Sequence, residues 1–297
     1  MDLFLQALIN GIMLGGFYAA MMLGFSVIWG VMGVINLAHG EMIMVGAYLS
    51  WYLNTNFGVD PFVSLLIVMP IMFVVGYVLQ LILINRVVNR PILASLLVTF
   101  GLSIAVSNLA KVVFTADPRL TNTALSGAWN VGNITFPVTK TAIMGVALII
   151  MASLWLFLQK TRTGKSIRAA AQNKQAARIV GIDINRIYAI TFGICIAITG
   201  AAGALISPTQ AVFPFMGVPL TLRAFTITAL AGLGSIPGAL MGGVVLGIVE
   251  SMIGIYVPGI GTNLAIIASF VLLVVVLVTR PQGLFGGLRP HEEPAQI

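Results

Sequence analysis

The residues best equipped for chemistry lie between Lys160 and Arg186. Seven of the fifteen Lys and Arg residues fall there (Lys160, Arg162, Lys165, Arg168, Lys174, Arg178, Arg186), with Asp183 the only acid. Gly164-Lys165-Ser166 looks like the end of a phosphate-binding loop, in which backbone N–H groups cradle phosphates and the Lys reaches the outer ones. That chemistry needs a glycine at 159 and a strand before it, but Gln159 stands there at the end of an apolar run. Gly232-x-Gly234-x-x-Pro237 likewise lacks the last glycine and the βαβ setting of a dinucleotide site. His and Cys residues nowhere take metal-ligand spacing, and no nucleophile, base and acid come together. The basic stretch therefore predicts contact with something in water rather than catalysis.

The rest of the chain is of membrane grade. It is 59% hydrophobic and 8% charged, where a soluble domain carries about 25% charged residues, and its mean hydropathy is +1.06. Apolar stretches of about 20 residues recur from end to end, the pattern of a polytopic helix bundle. One transmembrane domain over 1–297 is expected, because no polar region is long enough to fold separately. The net charge of +7 is spread over loops and is explained by orientation in a bilayer, with no need for nucleic acid. Met1-Asp2-Leu3 lacks the basic start and small-residue cleavage site of a removable signal peptide, so the first apolar segment is expected to be retained. Cys195, the single cysteine, lies in an apolar run. Any work done on a solute must then draw on another subunit or an ion gradient.

Spans are expected at about 5–30, 41–55, 62–84, 91–114, 139–159, 187–207 and 262–279. The region 221–257 is interrupted near Gly234-Ser-Ile-Pro237-Gly238. About eight to nine membrane segments follow, one of them broken or re-entrant near 221–238. Lys and Arg collect on the cytoplasmic side, so the clusters at 85–90, 160–186 and 280–289 should share that side. Residues 116–138 then form an outer loop, and the N-terminus lies outside. Glycines at four-residue spacing (Gly11/Gly15, Gly238/Gly242, Gly243/Gly247) predict close helix packing.

Ionisable or polar groups inside such spans tend to be partnered or cavity-facing. Asn36, His39, Glu41 and Glu250, with the break at Gly234 and Pro237, are the candidates for a translocation pathway. His39 and Glu41 could equally anchor a helix start. Lys111 reads as a span-end residue that reaches the headgroups, and Arg223 as one that does the same or meets a partner protein. In the basic stretch, a short helix is expected over 166–180, capped by Ser166 and ended by Gly181 in the left-handed conformation. It would present Arg168, Gln175 and Arg178 near one face, with Ala176 and Ala177 supplying small surface.

Gln175-Ala176-Ala177-x-x-x-Gly181 resembles the EAA motif of ABC-importer membrane subunits, with Gln replacing the usual Glu and without the Leu/Pro ending. Gly30-Val-Met-Gly-Val-Ile-Asn36-Leu-Ala-His39-Gly40-Glu41 resembles the opening of branched-chain amino-acid permeases. So do Arg178-x-x-Gly181-x-Asp183-x-Asn185-Arg186 and Ala231-Gly232-x-Gly234-Ser235-x-Pro237-Gly238. The resemblance implies a multi-pass subunit of the bacterial inner membrane, without enzymatic activity or a cofactor of its own. It implies a homologous permease partner, as heterodimer or homodimer, two cytoplasmic subunits that bind ATP, and an external solute-binding protein, with lipid around the spans. It further implies that Ser166, Arg168, Gln175, Ala176, Ala177, Arg178, Gly181 and Asp183 form the coupling element within a loop at 160–186. Related permeases carry urea or short amides, so the cargo stays open. An ion-coupled transporter or channel acting alone, with Glu41 and Glu250 as its ion sites, is the alternative reading.

Overall fold

The computed structural model describes residues 2–232, 236–257, 259–279 and 283. Eleven α-helices make up most of these residues: α1 (Asp2–Met32), α2 (His39–Phe57), α3 (Pro61–Ile82), α4 (Ile92–Phe114), α5 (Val138–Lys160), α6 (Arg162–Gln172), α7 (Lys174–Ile179), α8 (Ile184–Ile206), α9 (Gly217–Ala231), α10 (Ile236–Tyr256) and α11 (Gly261–Thr279). Among the described residues, six helical stretches are long and apolar enough to cross a bilayer. The chain is an all-α polytopic membrane protein.

Sequence decides which helices go inside. The apolar windows of α1 and α8 are each 89% buried, and both are rich in Gly and Ala. Those of α3, α4 and α5 are only 28%, 22% and 17% buried, and they turn Leu66, Leu97, Val112 and Ile149 outward. Outward Leu and Val cost nothing against lipid, so α1 and α8 form the core and the other three its apolar skin. Small residues supply the packing, since burial of apolar surface gives no net drive between helices in lipid. A Cβ on Gly15 would lie 2.5 Å from Val244 Cα of α10, and one on Gly11 would lie 2.6 Å from Ile248 Cα. A Cβ on Gly243 would in turn meet the Gly15 carbonyl at 2.6 Å. Two of the expected glycine pairs thus form the α1–α10 seam, with the helices antiparallel.

Loop contacts sort the connections onto two ends of the bundle. At one end, the Asp60 carboxylate accepts from Thr123 Oγ1 (2.9 Å) and Ala124 N (2.8 Å), and Asn54 pairs with Asn122. Gln6 bonds Thr135 there, and Arg119 and Val212 exchange backbone hydrogen bonds of 2.8 Å. At the other end, Lys174 donates to Asn89, bringing the basic loop to the α3–α4 connection.

Several expectations change. The polar loop contains a hairpin, β1 (Ala128–Val131) and β2 (Ile134–Pro137), with Trp129 opposite Phe136. Gly132-Asn133, with Gly132 at φ +62°, is the two-residue turn that joins antiparallel strands, and its signal was present in the sequence. The expected helix at 166–180 is two helices. Thr161 caps α6 by accepting from Gly164 N, and Asn173 caps α7 by accepting from Ala176 N. Ser166 is no cap: its Oγ donates to the Arg162 carbonyl inside α6. Asn173 offers the backbone a local partner that competes with helix continuation, which divides the segment. Gly181 behaves as expected, at φ +84° beyond α7. Residues 217–257 form two antiparallel helices, α9 and α10, and α9 starts four residues earlier than its apolar run. Residues 233–235 between them, Gly234 included, and the basic cluster at 280–289 apart from Gly283 lie outside the described residues.

Candidate functional site

Three places gather polar side chains. The first is the α6–α7 loop. Three-residue caps at Thr161 and Asn173 fix both short helices, and Asp183 starts α8 by accepting from the N–H groups of Asn185 and Arg186. Ile167, Ala170 and Ala177 are buried and tie the loop to the bundle. Arg168, Gln175, Ala176, Arg178 and Gly181 are exposed. Beside them Ile179 and Val180 stand 86% and 75% exposed at the loop's tip. Burial, and then the neighbouring charge of Arg178, lower the pKa of the Lys174 ammonium from its ordinary value. The result is an apolar tip framed by cations and held rigidly by caps. The expected coupling residues therefore lie in one loop, with Asp183 and Ala177 serving its architecture.

The second place is where α2 and α9 begin. Asn36 Oδ1 accepts from Ala38 N, turning the chain into α2. His39 Nε2 lies 2.9 Å from the Met21 carbonyl, and Gly40 N donates to Thr221 Oγ1 of α9 at 2.8 Å. Gly217 and Gly40 allow the two helix starts to touch, since a Cβ on Gly217 would lie 2.9 Å from Glu41 Cδ. Glu41 is fully buried and turns toward Ser103 and Ser107 of α4, yet neither carboxylate oxygen has a hydrogen-bond partner among the described residues. Its charge sits at the positive start of α2, which favours an anion there. Ser95, Thr99, Ser103 and Ser107 form a buried stripe at four-residue spacing on α4, and Thr99 Oγ1 accepts from Leu37 N (3.1 Å) and donates to Ile35 O (3.1 Å). The sequence reading missed this stripe, although hydroxyls repeating every four residues in an apolar span were legible.

The third place surrounds Glu250. Its carboxylate accepts from Arg223 Nε (2.9 Å), Tyr18 Oη (2.5 Å) and Ser269 Oγ (2.7 Å). Arg223 was expected at a span end; it lies inside α9 as the partner of Glu250, and the ion pair is nearly buried. Tyr18 and Ser269 carried no signal of their own, because their role depends on α1 and α11 meeting α10. The Glu250 network and the Glu41 junction are separate, sharing no side-chain bond among the described residues. Pro237 occupies the first turn of α10, where its missing N–H is unneeded anyway. No group of three His, Cys, Asp or Glu residues that could hold a metal occurs among the described residues. Lys111, at the end of α4, lies 6.0 Å from the Phe215 ring centre.

A helix bundle with an apolar outer face, charged and polar groups buried inside it and a capped cationic loop at one end define a membrane transport component. Residues 7–279 match the family described as "Branched-chain amino acid transport system / permease component", and the chain belongs to it. It is 32% identical to the high-affinity branched-chain amino acid transport system permease protein LivH of Salmonella typhimurium, over 98% of this chain and 97% of that one. Identity is 31% to BraD, the corresponding high-affinity permease protein of Pseudomonas aeruginosa, over 98% and 97% of the two chains. A probable branched-chain amino acid permease protein of Methanocaldococcus jannaschii is 29% identical over 89% of this chain and 87% of its own length. These relatives are transport permeases, not enzymes, and so is this multi-pass chain.

Proposed function

We propose that this chain is the membrane subunit of an ABC importer of the bacterial inner membrane, carrying branched-chain or related amino acids. Asn36, His39, Glu41, Gly234, Pro237 and Glu250 contribute to the pathway. A homologous permease, as heterodimer or homodimer, completes the membrane unit. Two cytoplasmic subunits bind ATP, and an external solute-binding protein delivers the cargo.

The loop ends support a nine-pass arrangement with the N-terminus outside. Positive residues favour the cytoplasm, which puts Arg86, Arg90 and the α6–α7 loop there and the β-hairpin outside. The helix α9, at 15 residues, is about 22 Å long against a hydrocarbon core of about 30 Å. Non-helical backbone can complete such a pass where it is buried in protein or lines a cavity.

The observation that carries the reading is the apolar tip of the basic loop. Ile179 and Val180, exposed at a polar bundle end, call for a protein partner, and an ATP-hydrolysing subunit is the one that a permease of this family requires. Closure of the ATPase pair would push on α6 and α7 and, through the buried Ala177, on the bundle. The test combines Ile179→Asp with Arg178→Glu in the assembled transporter. ATP-dependent uptake should fall at least tenfold while the chain still inserts and the ATPase subunits hydrolyse ATP without coupling. Full uptake would refute the coupling role, and ion-driven uptake by the purified chain alone would replace this reading with a secondary transporter.

A further inference from the structure

The Arg223–Glu250 pair is not sealed. It lines a cavity of about 400 Å³ between α1, α5, α8, α9, α10 and α11, whose rim carries Lys140, Thr209 and Gln210 at the end of the bundle bearing the β-hairpin. Small-molecule sites are clefts of roughly 300–1,000 Å³, mostly apolar with a few placed polar groups. Phe17, Ile143 and Ile206 give this one an apolar wall, and Arg223 and Glu250 give it opposite charges side by side.

Both charges keep capacity. Arg223 spends Nε on Glu250 and also lies over the Tyr18 ring, 5.9 Å from its centre, and a guanidinium has further Nη donors in a fork that fits a carboxylate. A carboxylate provides about four lone-pair sites, of which Arg223, Ser269 and Tyr18 take three. The walls also keep room. Gly254 lines the cavity, and a Cβ there would meet nothing within 4 Å. Glycine in membrane helices ordinarily serves close packing, and at Gly254 the side-chain direction is open space instead.

We infer that this cavity, within a single subunit, binds an α-amino acid zwitterion with an aliphatic side chain. The ligand's carboxylate bonds the Nη groups of Arg223. Its ammonium bonds the remaining Glu250 lone pair and the amide oxygens of Asn10 or Gln210, and its side chain lies on Phe17, Ile143 and Ile206. The inference rests on the proposed function for its cargo, and adds an intrasubunit holding site on the outer side of the pathway.

The test places a thiol in the cavity with Gly254→Cys in the assembled transporter, where the native Cys195 is fully buried. A small water-soluble thiol reagent should label position 254, and saturating leucine should slow labelling at least fivefold. Leucinamide, which lacks the carboxylate, and 4-methylpentanoate, which lacks the ammonium, should not protect. Gly254→Phe should raise the KM for leucine uptake at least tenfold with assembly intact. Gly101→Phe, on the exposed face of α4 where a Cβ also meets nothing within 4 Å, should leave it unchanged. Absence of labelling, absence of leucine protection or equal protection by all three compounds would overturn the site, the last pointing to lipid or nonspecific occupancy. ATP-driven leucine uptake by the unaltered transporter is measured alongside. Its absence removes the functional reading and this site with it, whereas uptake without protection removes the site alone.

Discussion

At the residue scale, Glu250 and Arg223 show how a charge survives in an apolar interior. Each is costly alone, and together with Tyr18 and Ser269 they neutralise each other in a hydrogen-bonded network. Removing one partner of a buried pair typically costs about 3–5 kcal/mol, whereas replacing both by apolar residues can be neutral. Arg223→Leu should therefore lower the unfolding temperature of the purified protein markedly, and Arg223→Leu with Glu250→Leu should recover most of the loss. If the pair only tied helices together, the double variant would transport normally; it should instead remain defective in leucine uptake. Glu41 is the contrasting case, because its oxygens are buried without partners. The sequence marked Glu41 and Glu250 alike as intramembrane acids. Their difference comes from neighbours 27 and 62 or more residues away in the chain, Arg223 for one and the α4 hydroxyls for the other.

At the element scale, the coupling loop depends on caps. Losing an N-cap side chain costs about 1 kcal/mol. In a helix of six residues that is enough to fray the first turn of α7. Asn173→Ala should lower uptake several-fold while leaving insertion and unfolding temperature nearly unchanged, and Asn173→Asp should restore it. Gly181→Val should act similarly, because φ of +84° is strained for a β-branched residue. The α1–α10 seam responds differently. Gly15→Leu would force side-chain atoms into the Val244 backbone, so the protein should be poorly folded and yield little material on purification. The helices themselves were legible from apolar runs, to within a few residues for most. The division of the basic segment at Asn173 was not, because alanines on both sides favour one continuous helix and only the capping geometry shows the break.

At the scale of the whole molecule, sidedness is the property to test. In a background with Cys195→Ala, cysteines at Asn89 and Asn185 should react with an impermeant thiol reagent only from the cytoplasmic face. Cysteines at Asn122 and Asn133 should react only from outside. Reaction of all four from one face would overturn the nine-pass arrangement. The contacts that join Asn54 to Asn122 and Lys174 to Asn89 put Asn122 and Asn89 into the same two sets that the positive residues suggest. Charge distribution and tertiary contact are independent observations, and they agree.

Composition alone determined that this is a polytopic helical membrane protein, because stretches of about 20 apolar residues have few other stable states in bilayer or water. Local strings around Asn36, Arg178 and Ala231 carried the resemblance to its family, and the match over residues 7–279 established it. Tertiary structure decided what those strings cannot express. It paired Glu250 with Arg223, left Glu41 facing hydroxyls, and kept a cavity open at Gly254. Each of these depends on which helix faces meet, and between helices in lipid that choice is set by close packing of small residues rather than by hydrophobic pattern.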